Sequence, residues 1–189
     1  MSVKTYFFDE ASPMHTEKVL SIVREFIDAT PSIEHIVVAT TEGATGVAAA
    51  KEFSEKKVIV VSHQTGFAQD NENELDEIIR TQIEELGAKV LTATHAFAGV
   101  ARSIRKELGT WMTTEIIAVA LRTFGQGTKV CAEIAMMAAD AGLVPVTKDV
   151  VCIAGTGRGA DTAWVIRPAN SHAFPKLMMK ACLCKPIEF

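Results

Sequence analysis

Two loops rich in glycine and threonine carry the chemistry this chain can do. The first reads Thr40-Thr41-Glu42-Gly43-Ala44-Thr45-Gly46 and follows the apolar run His35–Ala39. The second reads Gly155-Thr156-Gly157-Arg158-Gly159-Ala160-Asp161-Thr162 and follows Val150–Ala154. Small residues let backbone N–H groups approach a ligand closely, and hydroxyls add donors. A helix starting at Ala44 aims its positive end at the same spot. Together these features make an anion cradle, and a phosphate is the anion that suits it best.

Two further loops follow apolar runs. They are Ser62-His63-Gln64-Thr65-Gly66-Phe67 and Thr94-His95-Ala96-Phe97-Ala98-Gly99. Segments 55–57, 87–89 and 148–149, at the opposite ends of the runs, hold only charged or plain turn residues. The asymmetry points to a binding site on one side. Each candidate there has two readings. Arg158 is the one cation within the two glycine-rich loops, and it suits either a bidentate phosphate clamp or an exposed turn. Thr40, Thr41 and Thr45 serve a ligand or cap a helix. Asp161 binds a ligand hydroxyl or closes a hairpin. His63 and His95 are the candidate acid/base groups, or structural hydrogen-bonders. Phe67 and Phe97 line a flat apolar ring, or belong to the core.

The elements that must position these loops alternate. Ser12-Pro13 opens a helix whose apolar face is Val19, Ile22, Val23, Phe26 and Ile27, stopped by Pro31. Strand-like runs fall at 36–39, 58–61, 90–93, 150–154 and 163–166, with an edge strand at 6–8. Helices are expected at 44–53, around Leu75–Leu86, around Phe97–Leu108, at 114–124 and at 129–141. Such alternation implies a parallel sheet with helices on both faces, a three-layer α/β/α domain. Only about eight residues separate the last two runs, too few for a parallel crossover, so that pair is an antiparallel hairpin.

The two loops resemble those of the C-terminal α/β domain of pyruvate kinase, occurring here alone. In pyruvate kinases that domain holds an allosteric sugar-phosphate site, built from a Thr/Ser/Gly loop after its first strand and a Gly-Arg-Gly loop after its fourth. The resemblance covers residues 33–168. It implies a mostly parallel five-stranded sheet in the order 3-2-1-4-5 with strand five antiparallel, so that the two glycine-rich loops are neighbours. The chain is also similar to small, chiefly archaeal proteins that share stretches like those at 94–99, 129–142 and 157–163. That similarity implies FMN as the ligand, with no established reaction. The expected binding residues, taken from the four loops together, are Thr40, Thr41, Glu42, Gly43, Ala44 and Thr45; His63, Gln64, Thr65, Gly66 and Phe67; His95 and Phe97; and Gly155, Thr156, Gly157, Arg158, Gly159, Asp161 and Thr162. Two departures stand out. Gly155-Thr156-Gly157 replaces the tryptophan that usually follows the glycine of the second loop, and the metal- and phosphoenolpyruvate-binding barrel is absent. Pyruvate kinase activity is therefore not expected.

Other chemistries fail on context. Gly155-x-Gly157-x-x-Ala160 superficially matches a dinucleotide fingerprint, but Trp164-Val165-Ile166 after it reads as strand, where a helix is required. There is no GxxxxGK[ST] loop and no GxSxG elbow. Cys182-x-Cys184 lacks a second ligand pair, and the five histidines have no metal spacing.

At 189 residues the chain suits a single domain with its own core. A net charge of −4 argues against nucleic acid or an acidic membrane as partner. No apolar run approaches the ~20 residues of a membrane span. The amino-terminal segment turns acidic and prolyl too soon for a signal peptide. Cys131, Cys152, Cys182 and Cys184 read as reduced thiols in the cytoplasm. Arg102, Arg105 and Lys106 read as a solvated basic face. Residues 116–121 with Met136, Met137, Met178 and Met179 suit a core or an interface between identical subunits. The expected function is binding of a phosphorylated small molecule. The alternatives are an enzyme acting on a phosphorylated metabolite, flavin-dependent or otherwise, and a regulatory interaction module.

Overall fold

The computed structural model describes residues 4–189. The segment read for a leader begins at residues 1–3, which lie outside the described residues. The strands are β1 (Tyr6–Glu10), β2 (His35–Ala39), β3 (Lys57–Ser62), β4 (Lys89–Thr92), β5 (Val150–Ala154), β6 (Thr162–Arg167) and β7 (Met178–Glu188). The helices are α1 (Thr16–Asp28), α2 (Ala44–Glu52), α3 (Glu77–Glu85), α4 (Gly99–Leu108), α5 (Thr113–Arg122) and α6 (Gln126–Asp140). A short 3₁₀ turn, Pro13–His15, precedes α1. There Ser12 Oγ accepts the Met14 N–H at 3.3 Å, the cap expected of a Ser-Pro start.

All seven strands form one sheet in the order β1-β7-β6-β5-β2-β3-β4. The expected five-stranded sheet is thus too small. Within it the five expected strands keep their expected neighbours, and β7 and β1 extend it beyond β6. The β5–β6 hairpin is antiparallel, with Val150 opposite Ile166 and Ala154 opposite Thr162. The edge strand at the amino terminus is β1, which pairs in parallel with β7. Strand β7 went unread. Its lysines fall among apolar residues without clean alternation, and Pro186 argues against a strand interior. Pairing on both sides forms it all the same, with β6 antiparallel on one flank and β1 parallel on the other. Lys180 Nζ then donates to Asp149 Oδ2 at 2.9 Å, anchoring the β7 end to the start of β5.

The central strands are apolar without alternation because helices cover both of their faces. Val37, Ile59 and Cys152 point to one side and Ile36, Val60 and Ile153 to the other, all buried. Helices α1, α2 and α3 cover the second side through Val19, Val23, Ile27, Ala49, Phe53 and Ile83. Helix α6 covers the first through Cys131, Ile134, Ala135 and Ala138. Helix α5 lies outside α6, where Ala118 joins Phe97, Ala132 and Met136. The four cysteines are free thiols, three of them buried. Among the described residues no helix is long and apolar enough to cross a membrane.

The chain leaves β2 toward α2 on one face, whereas β5 is reached from α6 on the other. The connections therefore diverge between β2 and β5, and a crevice opens beyond the carboxyl ends of these two strands. Gly46 is what lets α2 sit close enough to form one wall. A Cβ there would lie 2.8 Å from Val60 Cγ1 and 3.0 Å from Ile83 Cδ1. Gly46→Ala is therefore expected to destabilise the protein by about 1–2 kcal/mol, although alanine is the better helix former. Urea unfolding checks this; a gain in stability would mean that α2 has room to move.

Candidate functional site

A cleft of about 1070 Å³ occupies this crevice. One wall is the start of α2. Thr40 is buried, and its Oγ1 accepts the Gly43 N–H at 3.1 Å and the Gly46 N–H at 3.4 Å. Its capping role is therefore filled. Gly43 takes φ +104° and faces away from the cleft, toward Leu75 and Ile79. The Ala44 and Thr45 N–H groups, which the Thr40 cap does not take, remain as first-turn donors, and both residues line the cleft. Thr41 and Glu42 line it beside them.

The second glycine-rich loop faces the first. Gly155, Gly157, Arg158 and Gly159 line the cleft, whereas Thr156, Asp161 and Thr162 do not. Asp161 is 1% exposed; its Oδ2 accepts the Thr156 N–H at 3.0 Å and its Oδ1 accepts the Thr162 hydroxyl at 2.6 Å. The carboxylate thus shapes the loop from within, which is the hairpin-closing reading of Asp161. Close packing fixes the glycines. A Cβ on Gly155 would meet Gly159 O at 2.5 Å, and one on Gly159 would meet Pro13 Cα at 2.6 Å.

Arg158 bridges the loops. Its Nη2 donates to Glu42 Oε1 at 2.9 Å and lies 3.9 Å from Glu74 Oε1. Its side chain is 56% exposed, so this pairing is weak and exchangeable for an incoming anion. Glu74 is a residue the sequence reading did not single out. Its other oxygen, Oε2, lies 2.5 Å from His63 Nδ1. The His63 ring packs on Phe67 with centroids 4.1 Å apart, and the His95 ring lies 5.2 Å from His63 and 5.1 Å from Phe67. The Arg102 guanidinium sits 4.9 Å over the Phe67 ring. The two histidines and Phe67 are thus gathered into one cluster in the cleft.

Gln64, Thr65 and Gly66 do not line it. Gln64 instead accepts the His95 N–H through Oε1 at 3.2 Å, tying the β3 and β4 loops together. Thr65 and Gly66 are exposed at the rim of the fold, with the Gly66 N–H donating to Glu72 O at 2.8 Å.

The floor was not legible as a site. Lys129 and Glu133, one turn apart on α6, form a buried ion pair, 6% and 3% exposed. Glu133 Oε1 also accepts the Phe97 N–H at 2.9 Å. Burial pulls the Lys129 ammonium below its ordinary pKa, against the pull of Glu133. The one sequence signal was two charges four residues apart inside an otherwise apolar helix. Arg102 and Arg105, read as a solvated face, line the cleft with Trp111 and Glu115.

Residues 17–166 match the family described as pyruvate kinase, alpha/beta domain. Among solved structures, O-ureido-L-serine synthase is 14% identical, with a TM-score of 0.32; the match covers 67% of this chain and 48% of that one. A pyridoxal 5'-phosphate-dependent aspartate racemase is 15% identical, with a TM-score of 0.33, over 80% of this chain and 51% of the other. The chain therefore spans about half the length of these two structures.

Burial draws the His95 ring down from 6.5 to about 4. Between these values the unfolded chain takes up the proton and the native protein does not. Stability is then full above the unfolded value and falls as the pH drops toward about 4. His95→Gln is expected to shrink the difference in melting temperature between about pH 7 and about pH 4.5. Equal differences in variant and parent would show that His95 titrates normally.

Proposed function

Since the chain belongs to the pyruvate kinase alpha/beta domain family, we propose that it binds a phosphorylated small molecule in this cleft, with FMN the first choice. The observation that carries the reading is the start of α2. Two N–H groups there, those of Ala44 and Thr45, lie outside the Thr40 cap in a cleft that Arg158 also lines. A helix N-terminus and an exchangeable guanidinium are both well suited to holding a phosphate. Arg158 would trade Glu42 for the ligand.

The rest of the cleft fits the rest of such a ligand. Its volume is on the scale of sites that take ligands of drug size. Phe67, His63 and His95 offer ring faces, and Phe97, Val130, Ile134 and Met137 offer an apolar floor. FMN, when bound, would supply redox chemistry through its ring system. The Ala44 and Thr45 amides with Arg158 would hold its phosphate, and the aromatic and histidine faces would lie against its rings.

One observation favours a second reading, an enzyme acting on a phosphorylated metabolite. His63 is oriented by Glu74 at 2.5 Å, the arrangement of a base fixed by a carboxylate. In that reading His63 moves the proton and His95, neutral above about pH 4, accepts or donates one hydrogen bond. Bleaching of bound FMN by a candidate substrate separates an oxidoreductase from a carrier.

If the phosphate supplies two charge-assisted hydrogen bonds of about 1.5 kcal/mol each, FMN binds about a hundredfold tighter than riboflavin. Calorimetry with both ligands measures this, and equal affinities would remove the cradle. Ala44 is exposed at the first position of α2. Ala44→Asp should stabilise the empty protein by about 0.3–1 kcal/mol, as a carboxylate at a helix N-terminus does, while abolishing FMN binding by repulsion. The opposite signs exclude a damaged fold. Full binding by Ala44→Asp would move the phosphate elsewhere.

A further inference from the structure

Glu115 is a carboxylate in the first turn of α5, where a negative charge is favoured, but it is also buried. It is 7% exposed, at the first turn of α5, and it lines the cleft on the wall opposite α2. Only half of its carboxylate is satisfied. Oε1 accepts from Arg105 Nε at 2.7 Å, whereas Oε2 is buried with no partner among the described residues. The helix dipole and Arg105 account for the charge, but a buried acceptor left unmade is costly, and Oε2 calls for a donor of its own.

We propose that Glu115 is the second recognition point of the cleft, accepting a hydrogen bond through Oε2 from an N–H or O–H group on the end of the ligand remote from its phosphate. The inference rests on the phosphate reading of the α2 wall. A cationic group is not the expected donor. Arg105 already neutralises Glu115, and Arg102 and Arg122 line the cleft as well. An uncharged donor on a flat ring fits better. Trp111 lines the same wall, with the Arg105 guanidinium 4.8 Å over its ring, so a planar group has a surface to lie along. No residue of α4 or of 109–112 is buried, and Gly99 and Gly109 at its two ends have positive φ. A phosphate alone would leave most of a 1070 Å³ cleft unused. A donor-bearing ring system reaching to Glu115 accounts for both the volume and the orphaned oxygen.

The test uses FMN and inorganic phosphate on the full chain. Glu115→Gln keeps the size and an acceptor for Arg105, but turns an N–H₂ toward the incoming donor. Glu115→Met removes the acceptor altogether. Both variants are expected to melt within a few degrees of the parent and to bind inorganic phosphate as the parent does, measured by its competition with FMN. Both should bind FMN at least tenfold more weakly. FMN affinity unchanged in both would overturn this role for Glu115 and leave the phosphate cradle standing. Loss of phosphate together with FMN would make Glu115 a structural residue and also overturn it. If the parent takes up neither FMN nor phosphate, the cradle itself falls, and this inference falls with it.

Discussion

A helix buried on every side cannot leave a charge without a partner, and much of this molecule is arranged around that constraint on α6. Twelve of its fifteen residues are buried, because the sheet lies on one side and α5 on the other. Lys129 and Glu133 are among them. Each charge would be very costly alone, so they pair with each other, and the remaining oxygen of Glu133 takes the Phe97 N–H. Thr128 is treated likewise. Its hydroxyl donates to Phe124 O and accepts from Trp164 Nε1, linking α6 to the loop after α5 and to β6. The loop after β4 is held against α6 by the same pairing, and the floor of the cleft is a consequence.

The charges around the cleft follow a second rule. Cations and carboxylates alternate across it, from Glu42 to Arg158 to Glu74 and His63 on the rim, and from Arg105 to Glu115 at the far wall. The Arg158–Glu42 pair at the rim is exposed and cheap to exchange, whereas at the far wall Glu115 is buried with Arg105 half-buried beside it. The rim is therefore where a carboxylate is held least firmly.

The legibility of the site followed from how local each cause was. Thr40 and the start of α2 could be read because capping and helix polarity depend on adjacent residues. Strand ends were readable for the same reason, so the four loops were found. Asp161 was ambiguous because its two hydrogen bonds, to Thr156 and Thr162, differ from ligand contacts only in which way the side chain turns. Glu74 was missed because it lies in an irregular polar segment eleven residues after its partner His63. Arg102 and Arg105 were read only as a solvated face because α4 is amphipathic, and nothing in its periodicity says that its polar face also borders a cleft.

By itself the sequence determined the layers, the direction of the central strands, the antiparallel hairpin and the chemical character of the loops. All of these follow from periodicity, crossover length and turn chemistry over fewer than about twenty residues. The tertiary structure alone decided the pairing of β7 with β1, across more than 170 residues of chain, and the partners of Arg158, Glu133 and Glu115. Those contacts join segments that meet only after the sheet has closed. Their energies come from burial and charge pairing, which no local pattern encodes.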